Sequence, residues 1–348
     1  MKKTLVAVAA MAAVTGAMAD VTIGGLIDAA AYSITTTNSD SARVITRGVG
    51  PQNNGTDELF FATSEDLGNG LKANARLGFN ATASGSGANT TSAGTSNMSN
   101  RISYVGVSSA SFGEVQAGQQ WKPGFFAILN LDPTGLVSTS GAGLVGPGDM
   151  AAYTANSITY TSPSFNGVGF QYQKGYGETA GNTAGDSSGY RLDYTNAGLY
   201  VVYSAGTTAL SSTGTFKGNT IGTVQDTLLT ATALGTSVKS SGYGASYDFG
   251  MAKVSAGAFS STAGSVAKSN STAYGLSAPV GPFVLAVSMS SGQQVVASTA
   301  VSTSTKGQRY SATYPLSKRT SVYAFTGTST AGTVRRTTES ALGVKHTF

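Results

Sequence analysis

The sequence contains no cysteine and a single histidine, His346. Without thiolates, and with one imidazole, a zinc centre is excluded by ligand count. A Ser-His-Asp relay fails for the same reason, because alternation in the last segment puts His346 on an outward apolar face. Charge is also scarce: 11% of residues are charged, against about 25% in soluble domains. The excess of 21 Lys+Arg over 16 Asp+Glu is mild and scattered, so the clustered basic stripe that nucleic-acid binding needs is missing. No phosphate-binding G-x-x-x-x-G-K-[ST] loop occurs. The longest apolar run, 5–14, is about ten residues, half of the roughly 20 that a membrane-spanning helix requires. No short internal repeat appears, which counts against a Ser/Thr/Gly-rich solenoid.

What is present begins with a three-part export signal. Lys2 and Lys3 precede that apolar run, and Ala17-Met18-Ala19 supplies a small-residue cleavage site before Asp20. The expected mature chain therefore starts at Asp20, with 1–19 a cleavable signal peptide and 20–348 one folded unit. Glycine is abundant at 46, and Tyr and Phe number 16 and 14. Low charge without a helical span fits strands that turn one face to lipid and the other to water.

Period-two alternation supports this. Leu71, Ala73, Ala75, Leu77 and Phe79 share one face while Lys72, Asn74, Arg76, Gly78 and Asn80 share the other,. Similar alternation recurs around 190–194, 253–258 and 309–314. Short turns rich in Gly, Pro and Asn alternate with long Ser/Thr/Gly-rich connections at roughly 35–56, 82–99, 122–153, 207–239 and 292–304,. Counting between turns gives about sixteen strands, an all-β transmembrane antiparallel barrel wide enough for an aqueous channel. The chain ends on Phe348, in phase with Leu342, Val344 and His346, where an interfacial aromatic belongs.

Several segments together resemble the general porins of beta-proteobacteria, a sixteen-stranded trimeric outer-membrane family. They include VTIGGLID at 21–28, SEDLGNGLKA at 64–73, RISYVGV at 101–107, NSITYTSPSF at 156–165, GASYDFG at 244–250 and GVKHTF at 343–348. The resemblance implies passive diffusion of small hydrophilic solutes and ions through a homotrimer. It also implies contact with outer-membrane lipid and lipopolysaccharide, and delivery through the periplasm to the barrel-assembly machinery, which would read Phe348. It implies a third extracellular loop, here 122–153, folded into the pore. No cofactor, metal or enzymatic activity is expected. The constriction and lumen candidates are Glu58, Lys72, Arg76 and Arg101 on the wall, and Asp132 and Asp149 on the loop. Arg191 and Arg309 read as ordinary lumen lining. The chain departs from the family pattern at Glu58, Gln119 and Tyr153, where relatives carry Arg, and at Gly78, where they carry Glu. Weak selectivity leaning to anions is therefore expected. A substrate-selective channel and, more remotely, a secreted adhesin are the alternatives.

Overall fold

The computed structural model describes residues 20–38, 42–50, 57–81, 98–135, 153–178, 180–209, 237–264, 267–296, 301–332 and 335–348, with two-residue pieces at 215–216, 220–221, 224–225 and 229–230. The expected signal peptide and Asp149 lie outside the described residues. Strand β1 is Asp20–Asn38, and β2 comes in two segments, Arg43–Gly50 and Glu58–Gly68. Then follow β3 (Leu71–Ala81), β4 (Met98–Ser109), β5 (Gly113–Trp121), the short helix α1 (Pro123–Leu129), β6 (Tyr153–Thr161), β7 (Val168–Gly175), β8 (Ser187–Asn196) and β9 (Leu199–Ala209). The chain is completed by β10 (Ser237–Asp248), β11 (Lys253–Ala263), β12 (Ala267–Val280), β13 (Phe283–Val296), β14 (Val301–Pro315), β15 (Thr320–Ala331) and β16 (Arg335–Thr347).

Each strand pairs antiparallel with the next, and β16 returns to β1 from Thr347↔Leu26 to Arg335↔Asn38. Sixteen strands thus form a closed barrel, as the turn spacing predicts. Closure leaves no sheet edge, so a segment of a few dozen polar peptide groups can sit in lipid with its backbone hydrogen bonds made. The faces follow the period-two pattern. Ile23, Leu77, Val105, Leu192, Tyr274 and Leu342 are exposed on the outer surface, while inward positions such as Ser204, Ser288, Thr305 and Ser329 are buried.

At the end that carries both termini, the turns are tight. Between β8 and β9, Ala197 and Gly198 both take positive φ, 45° and 85°, as a two-residue turn matching the strand twist requires. At the other end, strands run further than expected. Ser/Thr-rich stretches read as loops at 35–56 and 292–304 are largely strand: Arg43–Gly50 pairs with β1, and β13 and β14 pair out to Val296↔Val301. Neither Arg43–Gly50, which reads RVITRGVG, nor 292–296, which reads GQQVV, alternates apolar with polar residues, so a hydrophobic period could not reveal them.

Among the described residues, β1 has no strand partner on the β2 side between Leu26 and Ala30. The carboxylate of Asp57, itself buried, fills the gap by accepting the Asp28 N–H at 2.6 Å. A buried donor left unmet costs about 1–3 kcal/mol. We expect Asp57→Ala to destabilise the folded barrel by about that amount in denaturant unfolding, whereas Asp57→Asn, which keeps an acceptor oxygen, retains most of the stability. Equal behaviour of the two variants would show that Asp57 does not serve this role.

Candidate pore constriction

Three adjacent strands, β2 to β4, set charged side chains side by side on the inner wall. Glu58 opens the second segment of β2 and pairs with Asn80 of β3, while Ala62 pairs with Arg76. A register shift between Leu77 and Phe79 against β4 brings Gly78 into the centre of the group. A Cβ on Gly78 would lie 2.8 Å from both Glu58 Oε1 and the Ile102 carbonyl. The missing side chain is therefore the seat of the Glu58 carboxylate.

That carboxylate serves two guanidiniums. Arg76 Nη2 donates to Glu58 Oε1 at 2.6 Å, and Arg101 Nε lies 3.5 Å from Glu58 Oε2. The first is a hydrogen-bonded ion pair; the second is a Coulombic contact without hydrogen-bond geometry,. Arg76 stacks 3.8 Å over the Phe60 ring. Arg101 is fixed by Asn80 Oδ1 at 3.2 Å, by the rings of Trp121 and Tyr153 within 6 Å, and by Gln119, which donates to its carbonyl. The side chain of Arg101 is 5% exposed and that of Arg76 23%, so Arg76 is the guanidinium that meets the lumen. Two cations sharing one anion leave one positive charge uncompensated.

From β5 the chain turns inward. Trp121 stacks on Phe125 of α1 at 4.6 Å, Lys122 donates to Thr208, and Asn130 donates to the Tyr200 hydroxyl. Beyond α1, Leu131 to Thr134 rest on lumen-facing residues of β10 to β13. Leu131 occupies space left by Gly244 and Gly257, and Pro133 lies against Gly275. The Leu131 carbonyl accepts from Ser255 Oγ at 2.5 Å. Asp132 accepts from the Thr134 N–H and hydroxyl, at 2.9 and 2.7 Å, and from the Ser288 hydroxyl.

Of the residues singled out in the sequence, Glu58, Arg76 and Arg101 come together, whereas Asp132 lies on a different part of the wall. Lys72 shares the inward parity of Arg76 but sits four residues nearer the short turn, about 13 Å along the strand, exposed and outside the cluster. Arg309, read as ordinary lining, is 1% exposed. It stacks 3.7 Å over Phe325, and the charges acting on it are those of Asp132, Glu339 and Asp28. Tyr323, beside it, donates to Asp28 at 2.5 Å. Parity places each of these inward, but only the register around the barrel brings β14 to β16 and β1 into one polar group.

A family model described as "Gram-negative porin" matches residues 7–333. Outer membrane porin protein 32 of Delftia acidovorans is 32% identical over 302 residues, covering 81% of this chain and 77% of the relative. The major outer membrane protein P.IB of Neisseria meningitidis serogroup B is 30% identical over 211 residues, 58% of each chain. Among solved structures, an anion-selective porin from Comamonas acidovorans superposes with a TM-score of 0.73 at 21% identity, covering 95% of this chain and all of that one. OmpF of Salmonella typhi in complex with daunomycin gives 0.66 at 15% identity, with 96% and 98% covered.

A side chain at Gly275 would meet Ser255 Oγ at 2.4 Å and Pro133 Cδ at 2.5 Å. We expect Gly275→Val to lift the 131–134 segment from the wall and to raise open-channel current noise in planar bilayers, with the barrel still folded by electrophoretic heat-modifiability. Unchanged noise and conductance would place this segment away from the conducting path.

Proposed function

Because the chain belongs to the Gram-negative porin family, we propose that it is an outer-membrane channel for passive diffusion of small hydrophilic solutes and ions, with weak selectivity leaning to anions. The observation that carries the selectivity is the Glu58 carboxylate shared by Arg76 and Arg101. A wall of uncompensated arginines would favour anions strongly, whereas here one acid cancels part of their field. The segment 122–153 is the constriction loop in this reading, supported by the packing of Leu131 and Pro133 onto lumen-facing glycines. A homotrimer is the assembly, supported by the trimeric form of the Vibrio cholerae OmpT neighbour, TM-score 0.65 at 14% identity. The substrate-selective alternative draws on the name of the anion-selective neighbour alone.

Replacing Glu58 with Arg tests this. A unit charge about 7 Å from an ion in water changes its energy by about 0.6 kcal/mol, close to RT. Reversing the charge at 58 should shift the reversal potential in a salt gradient toward anions, corresponding to at least a severalfold change in permeability ratio. Screening acts over about 10 Å at 0.1 M salt, so the shift should shrink in concentrated salt. No shift at any salt would move the selectivity-determining site away from Glu58.

Both chain ends carry an assembly role in the same reading. Signal cleavage would leave Asp20 as the first residue, the position at which β1 begins. At the other end, Phe348 exchanges two backbone hydrogen bonds of 3.1 Å with Gly25, and its ring lies over the space a Gly25 side chain would take. In outer membranes from cells expressing the full-length chain and a Phe348-deleted chain, we expect the first to have an intact mass beginning at Asp20 and the second to yield markedly less heat-modifiable barrel. A mass that includes Met1, or equal yields, would contradict the corresponding role.

A further inference from the structure

The wall from β2 to β6, together with α1, carries more aromatic surface than a path for simple ions needs. Trp121 stacks on Phe125 with planes 8° apart, and Tyr153 closes on Trp121 at 4.5 Å between centroids. Phe126 meets Trp121 and Phe125 edge-on, at 6.2 and 6.4 Å. All four residues stay half-buried. Tyr323 and Phe325, which also point inward, are by contrast packed away at 2% and 5% exposure.

Two irregularities in the ladder put the rings here. One register shift falls between Leu77 and Phe79 on β3, the other between Gly118 and Gln120 on β5. They lie at one level of the wall, because Ser103, beside the first, pairs with Gln119, inside the second. Bulges re-aim side chains and recur next to functional sites. At the first, Arg101 comes against Glu58; at the second, Trp121 and Tyr153 come within 6 Å of the Arg101 guanidinium.

A guanidinium stands at each end of the ring cluster. Arg191 lies 4.9 Å over Phe126, and Asp193 neutralises it at 2.7 Å. At the other end the charge is unbalanced, because Arg76 and Arg101 share the single Glu58 carboxylate. Phe125 has one face against Trp121, and Phe126 has one face under Arg191. Both project from a helix that rests on β7 to β10 inside the barrel, and both keep apolar surface open to the lumen. A planar ring bearing one negative charge complements this arrangement. Its π-face and edge find aromatic partners, and its carboxylate finds the positive remainder of the Glu58 patch.

We propose that this cluster is a binding site for aromatic monocarboxylates inside the pore, with Phe125 and Phe126 holding the ring and the uncompensated guanidinium charge beside Glu58 attracting the carboxylate. The site rests on the channel reading and gives it a preferred class of solute.

The test uses wild-type channels in planar bilayers, bathed in dilute sodium chloride at neutral pH and titrated with sodium benzoate or sodium cyclohexanecarboxylate. The two acids match in charge and nearly in size and differ in the π-face. An aromatic contact is worth about two- to tenfold in an equilibrium, so benzoate should halve the chloride current at about one fifth of the concentration that cyclohexanecarboxylate needs. In the Phe125→Leu/Phe126→Leu variant, whose leucines suit a helix at least as well as phenylalanine, the two acids should act alike. The Phe125→Tyr/Phe126→Tyr variant keeps the rings, should keep the preference, and covers the case in which the leucine variant does not fold. Equal block of the wild type by the two acids, equal block by benzoate and benzylammonium, or an undiminished preference in the leucine variant would each overturn the proposal. A wild type that forms no channels in chloride alone would instead defeat the channel reading itself.

Discussion

Everything in this structure depends on the satisfaction of backbone hydrogen bonds where no water can supply them. In hydrocarbon an unmet N–H or C=O costs several kcal/mol, so the sheet must close on itself, and β16 must find β1. The seam runs from Asn38 and Arg335 to Leu26 and Thr347, and Phe348 with Gly25 completes it. Where β1 has no ladder partner on the β2 side among the described residues, the Asp28 N–H is met by a buried carboxylate from Asp57. Once closure is assured by the backbone, the side chains are released from holding the fold together and can be spent on the two surfaces.

On the inner surface that freedom appears as missing side chains. Glycine inside a strand ordinarily weakens it, yet the closed ladder tolerates Gly244, Gly257 and Gly275 on three successive strands, where they admit Leu131 and Pro133. Gly78 does the same for the Glu58 carboxylate. The shape of the lumen is thus written in cavities left in the wall, and the groups that fill them come from loops or neighbouring strands. Substituting such a glycine alters the channel before it alters the barrel.

Much of this was legible in the sequence because a barrel strand has a strict period of two. The faces of β3, the turn signals and the phase of Phe348 with Leu342 and Val344 needed no more than that, and sixteen strands followed from the turns. Three things were not legible. The strand Arg43–Gly50 has Val44 and Ile45 side by side and two arginines and two glycines among its eight residues, so no clean period of two marks it. The register shift beside Gly78 is a property of the β3–β4 pairing and leaves no mark in either strand alone. The company that Arg309 keeps depends on residues of β1, β15 and β16 that are remote in the chain, and parity gives direction without giving neighbours.

The charge arrangement follows from the same register. Positions 58 and 78 lie on adjacent strands, and their side chains would contend for one space. With no side chain at Gly78, Glu58 reaches Arg76 and Arg101 from the next strand. Its effect on the two arginines is unequal. Arg101 is packed under Trp121 and Tyr153, whereas Arg76 faces the lumen from the open side of its ion pair. Of the two guanidiniums, Arg76 is therefore the one open to the lumen, beside the acid that pairs with it. Asp132, held at another part of the wall by Ser288 and Thr134, acts on the group around Arg309. At the Glu58 patch two guanidiniums share one carboxylate, so that part of the wall keeps one net positive charge, and it is this remainder that leans the proposed channel weakly toward anions.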